Sequence, residues 1–430
     1  MTRGDSDARW FVAVEVHVRS SAARPEFGAG ERLDAPGVAQ LESARLRGLR
    51  TAVLTRDRAF YGDDLDWLVD HWIDCDTGNA AAIAAAAGSL TGVVAALTSS
   101  VDGFSGPAAA AARALGLRGP TPGTPALAHD EAAVRRALTA AGIPGVRWAE
   151  VSAADAELDA PVGYPCLVMP VDGGTGWDVG LVSDDSELRA VAARHRARHC
   201  YGRALRPRHR LIVEEVTRGP RFSADGFVDE DGPVVLAWSE RVMAAPPHHT
   251  ELAVTATTQP PGAGVADAVR SWLAAVGYDF GPFHVEFVMG SGGPRLVMFR
   301  PRVVDAGAHH CVDRVSGVDT VDLWVARLLG ERPASGAVGG PVGASTQMFL
   351  TSQVIGRVRA VSGVRDVGCI PGLVVAEVFT DIGSPAMPPT CSRERLGHVL
   401  TVGETPEQSR RRAATALDTI CVEIDELVPA

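Results

Sequence analysis

The chain has 430 residues, of which 46% are hydrophobic and 22% are charged, and it carries a formal net charge of -11. Because one domain usually takes roughly 100–200 residues, this length predicts a globular protein of several domains. The acidic balance argues against an extended nucleic-acid surface, since duplex binding depends on lysine and arginine side chains that neutralise phosphates.

The cysteines favour a reducing compartment. There are seven of them, scattered along the chain, and no CxxC pair occurs, so neither a disulfide framework nor a zinc knuckle is indicated. The first residues lead into the alternating stretch FVAVEVHV, which is too short for a secretory or membrane-spanning segment. We therefore expect a cytoplasmic protein with no membrane partner.

The first 120 residues alternate between strand and helix patterns. Strands are predicted at 10–18, 50–54 and 92–98, and helices at 38–48, 79–87 and 107–115. This rhythm predicts a parallel α/β domain over residues 1–120. A dinucleotide-binding domain is excluded, because no GxGxxG fingerprint follows the first strand.

A proline- and glycine-rich linker at 119–125 is expected to carry no regular structure and to begin a second domain, 121–332. After a helix at 129–141 and a strand at 147–151, β-rich stretches follow at 166–180 and 210–238, the second of which alternates like an antiparallel meander. A helix at 265–276 precedes two strands, 282–289 and 295–299, joined by a glycine turn. Another linker opens a smaller α/β module, 333–430.

Five strings, in this order, resemble the ATP-grasp superfamily, and especially its branch of L-amino-acid (dipeptide-forming) carboxylate-amine ligases. They are AVRRALTAAGIP, YPCLVMPVDGGTGWDVG, LIVEEVTRGPRFSADGFV, GPFHVEFVMGSGGPRLVMFRPR and RLGHVLTVGETPEQSRRRAATAL. The resemblance covers residues 121–430 and, more loosely, the N-terminal domain. It implies an α/β protein with the ATP-grasp fold, an N-terminal parallel α/β domain, a small C-terminal α/β module and a homodimeric assembly.

The same resemblance implies a degenerate ATP and magnesium site. Met169 and Glu131 stand where the family has lysines that reach the nucleotide phosphates, and Arg221 stands where it has the glutamate that bonds the ribose. The E-x-N-x-R run that ligates magnesium appears here as MFRPR, with Met298 at its start. Glu286 is then the one metal carboxylate left, beside the retained arginine at the end of that run.

Losing two lysine–phosphate contacts weakens ATP binding by roughly 3–6 kcal/mol, at about 1.5–3 kcal/mol each. Glu131 is expected to add repulsion, because it places a carboxylate where a cation belongs. The chain contains no lysine, so all 41 of its Lys and Arg residues are arginines. That bias explains an exchange of lysine for arginine, but not Met169 or Glu131. We therefore expect no ATP or magnesium cofactor.

Two hypotheses are open for what this site binds instead of ATP and magnesium. Residues two apart on a strand share a face, so the candidate catalytic residues His284, Glu286, Arg300 and Arg302 are expected to meet. In the first hypothesis, arginines bind a small anionic metabolite through guanidinium groups, with two histidines nearby; the residues are Arg302, Arg300, Arg221, Arg241, His309 and His310. In the second, imidazole and carboxylate groups bind a transition metal; the residues are Glu286, His284, His309 and His310.

Structural roles also stay open. His284 occurs in the same strand string of active relatives, adjacent histidines on an extended chain point to different sides, and Arg300 can simply hold two strands together. Met169 and Met298 suit cavity filling. Cys311 has no evident partner base and is not expected to be a nucleophile, and His248 with His249 is expected in a solvated loop.

The leading hypothesis is a repurposed, ATP-independent enzyme of specialised metabolism that binds an anionic, amino-acid-like metabolite. An active carboxylate-amine ligase, forming an amide through an acylphosphate with ATP and magnesium, is the first alternative. A non-catalytic partner of an active ligase is the second.

Overall fold

The computed structural model describes residues 7–16, 36–63, 65–155, 158–174, 176–245, 250–333 and 340–427. The expected histidine loop at His248 and His249, and residues 334–339 of the second linker, lie outside the described residues.

The N-terminal domain is the parallel α/β unit that the sequence predicted. Its four strands have the order β3-β2-β1-β4 and run parallel. The elements are β1 Arg9–Val14, α1 Pro36–Leu46, β2 Arg50–Thr55, β3 His71–Asp74, α2 Ala80–Gly88, β4 Val93–Thr98 and α3 Asp102–Ala114. Apolar side chains cover both faces of the sheet, as in other parallel sheets. Helix α3 begins at Asp102, earlier than the predicted start at Pro107, and this early start carries a carboxylate toward the next domain.

The first linker is not devoid of regular structure, contrary to the sequence-based expectation. Helix α4, Gly123–Ala128, includes its last three residues. Pro125 is tolerated because it lies in the first turn, where backbone N–H groups have no partner within the helix.

A second unit consists of an antiparallel sheet of order β5-β8-β6-β7 with a helix packed on it. Its elements, with the helix that precedes them, are α5 Glu131–Ala140, β5 Trp148–Ser152, β6 Cys166–Pro170, β7 Gly180–Val182, α6 Asp185–Ala197 and β8 Arg210–Glu215. The predicted meander is therefore wrong at its first strand. β8 pairs with β5 and β6 rather than with the strands that follow it, because alternation of apolar residues reports a buried face and not the identity of the neighbouring strand.

The largest sheet has eight antiparallel strands in the order β13-β12-β9-β10-β11-β14-β18-β16. Its first part contains β9 Arg221–Asp229, β10 Gly232–Met243, β11 Glu251–Thr257, α7 Val265–Ala275, β12 Gly281–Gly290, β13 Gly293–Arg300, α8 Ala308–Ser316 and α9 Thr320–Leu329. Helices α5 and α7 pack on one face around an aromatic core that includes Trp272, Phe283 and Phe287.

The C-terminal module continues this sheet. It contains β14 Ala344–Leu350, β15 Gly356–Ser362, β16 Leu373–Val378, β17 Pro385–Ala386, β18 Gly397–Gly403, α10 Pro406–Thr419 and β19 Cys421–Glu426. β14 pairs with β11, so the sheet runs across the boundary expected at residue 333. β15, β17 and β19 form a separate three-stranded sheet. Within the described chain, no helix is long and apolar enough to cross a membrane.

Candidate functional site

The β12–β13 hairpin carries the residues that the sequence placed at the site. His284 lies opposite Arg300, and Glu286 lies opposite Met298. The expectation that His284 and Glu286 share a face is confirmed, since His284 Nε2 lies 3.1 Å from Glu286 Oε1. Arg302 lies two residues beyond the end of β13, so it reaches the site from a loop rather than from the strand.

The Glu286 carboxylate is fully engaged. Arg221 Nε donates to its Oε2 at 2.8 Å, while Oε1 meets His284 and lies 3.4 Å from Arg241. Burial alone would raise the pKa of Glu286, but the guanidinium groups of Arg221 and Arg241 and the contact with His284 hold it well below its usual range. Glu286 is therefore an ionised carboxylate whose two oxygens already have partners.

His284 links this carboxylate to a second one. Its Nδ1 lies 2.7 Å from Asp225 Oδ1 on the neighbouring strand β9. Burial lowers the pKa of the imidazole, but the ion pair with Asp225 and the hydrogen bonds to Asp225 and Glu286 outweigh burial and raise it. The sequence analysis did not single out Asp225. Its place on a predicted strand, two residues past Ser223, was the signal that could have found it.

Glu131 and Arg300 form the second part of the site. Arg300 Nη2 donates to Glu131 Oε1 at 2.8 Å, and Arg135 Nη1 donates to Glu131 Oε2 at 2.8 Å. Arg135 also donates from Nε to Glu214 at 2.9 Å. All four side chains are at least nine-tenths buried. The expectation that Glu131 stands as an uncompensated negative charge is wrong, because two guanidinium groups neutralise it.

Arg135 is the residue that the sequence reasoning missed at this position. Its Nη2 lies 3.9 Å from the Sδ atom of Met169, so a cation stands beside the residue that replaces the family's lysine. Its spacing of four residues from Glu131 on one predicted helix indicates such a pair and would have revealed it. Met169 itself is half-buried and packs against an apolar cluster that contains Val171 and Ile212, as expected for cavity filling.

Asp102 joins the N-terminal domain to the site. Its carboxylate accepts from Arg302 Nε at 2.6 Å and lies 3.2 Å from Arg300 Nε. Arg302 Nη2 also pairs with Asp305 at 3.0 Å. A cavity lies beside Arg302 and is lined on the N-terminal side by Thr98, Ser99 and Ser105. The volume open to the centre of a water molecule is about 20 Å³, so the cavity holds about one water.

The glycine loop between β6 and β7 is also ion-paired. Asp178 accepts from Arg198 Nε at 2.7 Å and Nη2 at 2.9 Å, and it contacts His195 Nδ1 at 3.1 Å. Burial would raise the pKa of Asp178, but Arg198 and His195 hold it well below its ordinary value. Asp178 is therefore neutralised, as Glu131 is, and adds no free negative charge.

His309 and His310 lie in the first turn of α8, not on an extended loop, and their ring centroids are 3.9 Å apart. The expectation that they point to opposite sides is wrong, because helical neighbours do not alternate. Over the described ranges, no group of three or more His, Cys, Asp and Glu side chains is arranged to hold a metal. Burial raises the pKa of Cys311 to about 12, which agrees with an inert thiol.

Comparison with known proteins defines the class. Residues 162–307 match the family model of the ATP-grasp domain, and residues 348–425 match that of the L-amino acid ligase C-terminal domain 2. The chain has the ATP-grasp fold.

Among solved structures, an L-amino acid ligase from Bacillus licheniformis is similar with a TM-score of 0.74 and 17% identity, covering 98% of this chain and 100% of that one. Phosphoribosylglycinamide synthetase from Anaerococcus prevotii gives a TM-score of 0.67 and 13% identity, covering 97% and 100%. An uncharacterized protein y4rH of Sinorhizobium fredii is 25% identical over 400 residues, 90% of this chain and 80% of its own length. At these levels of identity, the similarity to the solved structures shows the fold.

The fold family implies ATP and magnesium, and the residues present do not fit them. Magnesium requires several hard oxygen ligands, but both Glu286 oxygens contact basic side chains, and Met298 and Arg300 offer a thioether and a positive charge. Phosphates require unpaired cations, but Arg135 and Arg300 are each bound to carboxylates.

Proposed function

We propose that the protein binds a small, anionic, amino-acid-like metabolite in the ATP-grasp cleft and acts on it without ATP. One observation carries this proposal: at the positions that the resemblance assigns to phosphates and metal, Glu131, Glu286 and Arg300 are held in buried ion pairs. The other two such positions are the methionines Met169 and Met298. Arg302 and Arg300 are the substrate-binding candidates in this network, and Arg221, Arg241, His309 and His310 are the further candidates.

Charge balance supports the proposal. Four carboxylates, of Asp102, Glu131, Glu214 and Asp305, face three guanidinium groups, of Arg135, Arg300 and Arg302. These three guanidinium groups therefore bring no surplus positive charge to the cleft before a ligand enters. A triphosphate with its four negative charges would have to break buried ion pairs, and removing one partner of such a pair costs about 3–5 kcal/mol. A ligand with a single carboxylate needs only one exchange.

A second function, that of an ATP-dependent carboxylate-amine ligase, is favoured by the match of two separate segments to models of ATP-grasp and L-amino acid ligase domains. In that function Arg302 would stabilise the acylphosphate, and Glu286 would hold the one remaining metal ion. A role as a non-catalytic partner of an active ligase has no such observation in its favour.

Thermal unfolding of the purified chain separates these functions. We expect that ATP with magnesium leaves the melting temperature unchanged, whereas at least one member of a panel of amino acids and related carboxylates raises it without ATP. The shift should disappear in Arg302→Gln and persist in Arg410→Gln, a half-exposed arginine of the C-terminal module.

A magnesium- and ATP-dependent rise in melting temperature, with ADP release in the presence of amino acids, would overturn the proposal in favour of the ligase. If no carboxylate in the panel shifts the transition and the chain co-purifies with an active ligase, the partner role replaces it. Zinc, iron, copper or manganese bound to the purified protein would favour the transition-metal hypothesis over anion binding.

A further inference from the structure

Two buried arginines from different parts of the chain meet at one glutamate. Arg241 lies on β10, Arg395 lies just before β18 in the C-terminal module, and their side chains are 6% and 7% exposed. Both contact Glu251 at the start of β11. Arg241 Nη1 donates to the Glu251 carboxylate, and Arg395 Nη2 donates to the Glu251 backbone carbonyl at 2.9 Å while lying 3.6 Å from its carboxylate.

The guanidinium groups are incompletely bonded. Nε and Nη2 of Arg241 and Nε of Arg395 are buried and have no hydrogen-bond partner within the part of the chain that the structure describes. Buried polar groups in folded proteins are nearly always satisfied, so three charged donors without acceptors in one place require an explanation. An acceptor that is supplied by a ligand provides one.

The local charge indicates the kind of ligand. Both guanidinium groups contact the carboxylate of Glu251, and Asp305 is a second negative charge that acts on both of them. Glu286 lies 3.4 Å from Arg241 but is already paired with Arg221 and His284. Burial lowers the pKa of Arg395, and Glu251 and Asp305 oppose that effect without cancelling it. The buried donors of this pair therefore lack acceptors rather than nearby negative charge.

We propose that Arg241 and Arg395 form the subsite for the carboxylate group of the ligand, and that Glu251 occupies this subsite in the ligand-free chain. The proposal rests on the anion-binding function above and adds to it the C-terminal module as a binding element. Guanidinium forks match carboxylates in a bidentate geometry. Because Glu251 and Asp305 already bring negative charge to the pair, a carboxylate with one negative charge fits better than a phosphate, which carries close to two at neutral pH.

The test is Glu251→Gln, titrated with sodium acetate and with inorganic phosphate at constant ionic strength and followed by thermal unfolding. Removing the internal competitor should lower the half-saturating acetate concentration by about tenfold relative to the unmodified chain. The matched control is Glu240→Gln, because Glu240 is the neighbour of Arg241 on β10 and pairs with Arg410 at 2.6 Å. Its side chain points to the opposite face of the sheet.

The gain in acetate affinity should vanish when Arg395→Gln is added to Glu251→Gln, and it should persist when Arg410→Gln is added. The subsite is overturned if Glu251→Gln binds acetate no more tightly than the unmodified chain does. It is also overturned if the control Glu240→Gln gains as much acetate affinity as Glu251→Gln. A larger gain for phosphate than for acetate overturns the assignment to a carboxylate.

If Glu251→Gln does not fold, Arg395→Gln and Arg410→Gln are compared alone, and only the former should lose stabilisation by acetate. Equal stabilisation of both variants overturns the subsite. The result is independent of the ATP experiment: ADP release would overturn the ATP-free function and leave the subsite standing, whereas amino-acid binding without an effect of Glu251→Gln would overturn the subsite alone.

Discussion

His284 stands between the carboxylates of Asp225 and Glu286 in the interior of the large sheet, at 2.7 and 3.1 Å. Its pKa is raised because these two partners outweigh burial. A group whose pKa is higher in the folded than in the unfolded chain stabilises the fold in its protonated form. This contribution is complete at pH values below the pKa of the unfolded chain, near 6.5 for histidine, and it is lost as the pH rises through the pKa of the folded chain. The imidazolium is therefore a stabilising cation in acid and neutral solution.

Substitution of His284 by glutamine should therefore destabilise the protein more at pH 6 than at pH 9. At pH 6 the loss should be about 1.5–3 kcal/mol, the size of a hydrogen bond to a charged group. Urea unfolding at both pH values measures it. His199→Gln, at an exposed position, serves as the control with no such difference. An equal loss at the two pH values would show that protonation of His284 does not contribute.

At the scale of elements, the glycine loop between β6 and β7 is held at both ends by the last turn of α6 and the segment that follows it. Asp178 binds Arg198 and His195, and Asp172 accepts from the backbone N–H of Arg208 at 2.9 Å and from Tyr201 Oη at 3.3 Å. The acidic flanks of this loop are thus satisfied by the protein itself.

Asp178→Asn should release one end of this loop. The loss of a bidentate pair with Arg198 is expected to cost about 1.5–3 kcal/mol of local stability, and amide hydrogen exchange in a peptide spanning 172–182 should accelerate accordingly. Asp231→Asn, in the exposed β9–β10 turn, should leave that peptide unchanged. Protection identical to that of the unmodified chain would mean that the ion pair does not restrain the loop.

At the scale of the whole molecule, the eight-stranded sheet binds the central and C-terminal parts into one structure. β14 pairs with β11, and the apolar cluster under α8 combines Ala237, Ala256 and Cys311 with Leu400 from the C-terminal module. The N-terminal domain is held by Asp102 and by Arg47, which pairs with Asp322 at 2.8 Å.

A chain ending at residue 332 should therefore not fold into a soluble monomer, because the edge of β11 and the apolar surface beside it would be exposed. Gel filtration is expected to show aggregates, and co-expression of residues 333–430 should restore a soluble complex. A monomeric truncated chain that melts at the temperature of the full chain would show that the sheet is not one cooperative unit.

The strand period was sufficient to place His284 and Glu286 on one face, and the pattern around Glu131 already contained Arg135 four residues later. Asp102 was not predictable in this way, since it lies 200 residues from the arginine it binds. The same holds for Arg395 and Glu251, which are separated by 144 residues. Charge partners at such distances follow from the path of the chain and leave no local pattern.

Local patterns in the chain, and their resemblance to known strings, were enough for the α/β class, the ATP-grasp fold and the βαβ start. These features depend on periods of two and 3.6 residues and on side-chain identity at single positions. The tertiary contacts decided the charge state of the site: Glu131, which the sequence indicated as a source of repulsion, is neutralised by Arg135 and Arg300, which folding brings together. Electrostatic energy depends on the distance between charges in space, and the order of residues does not contain that distance.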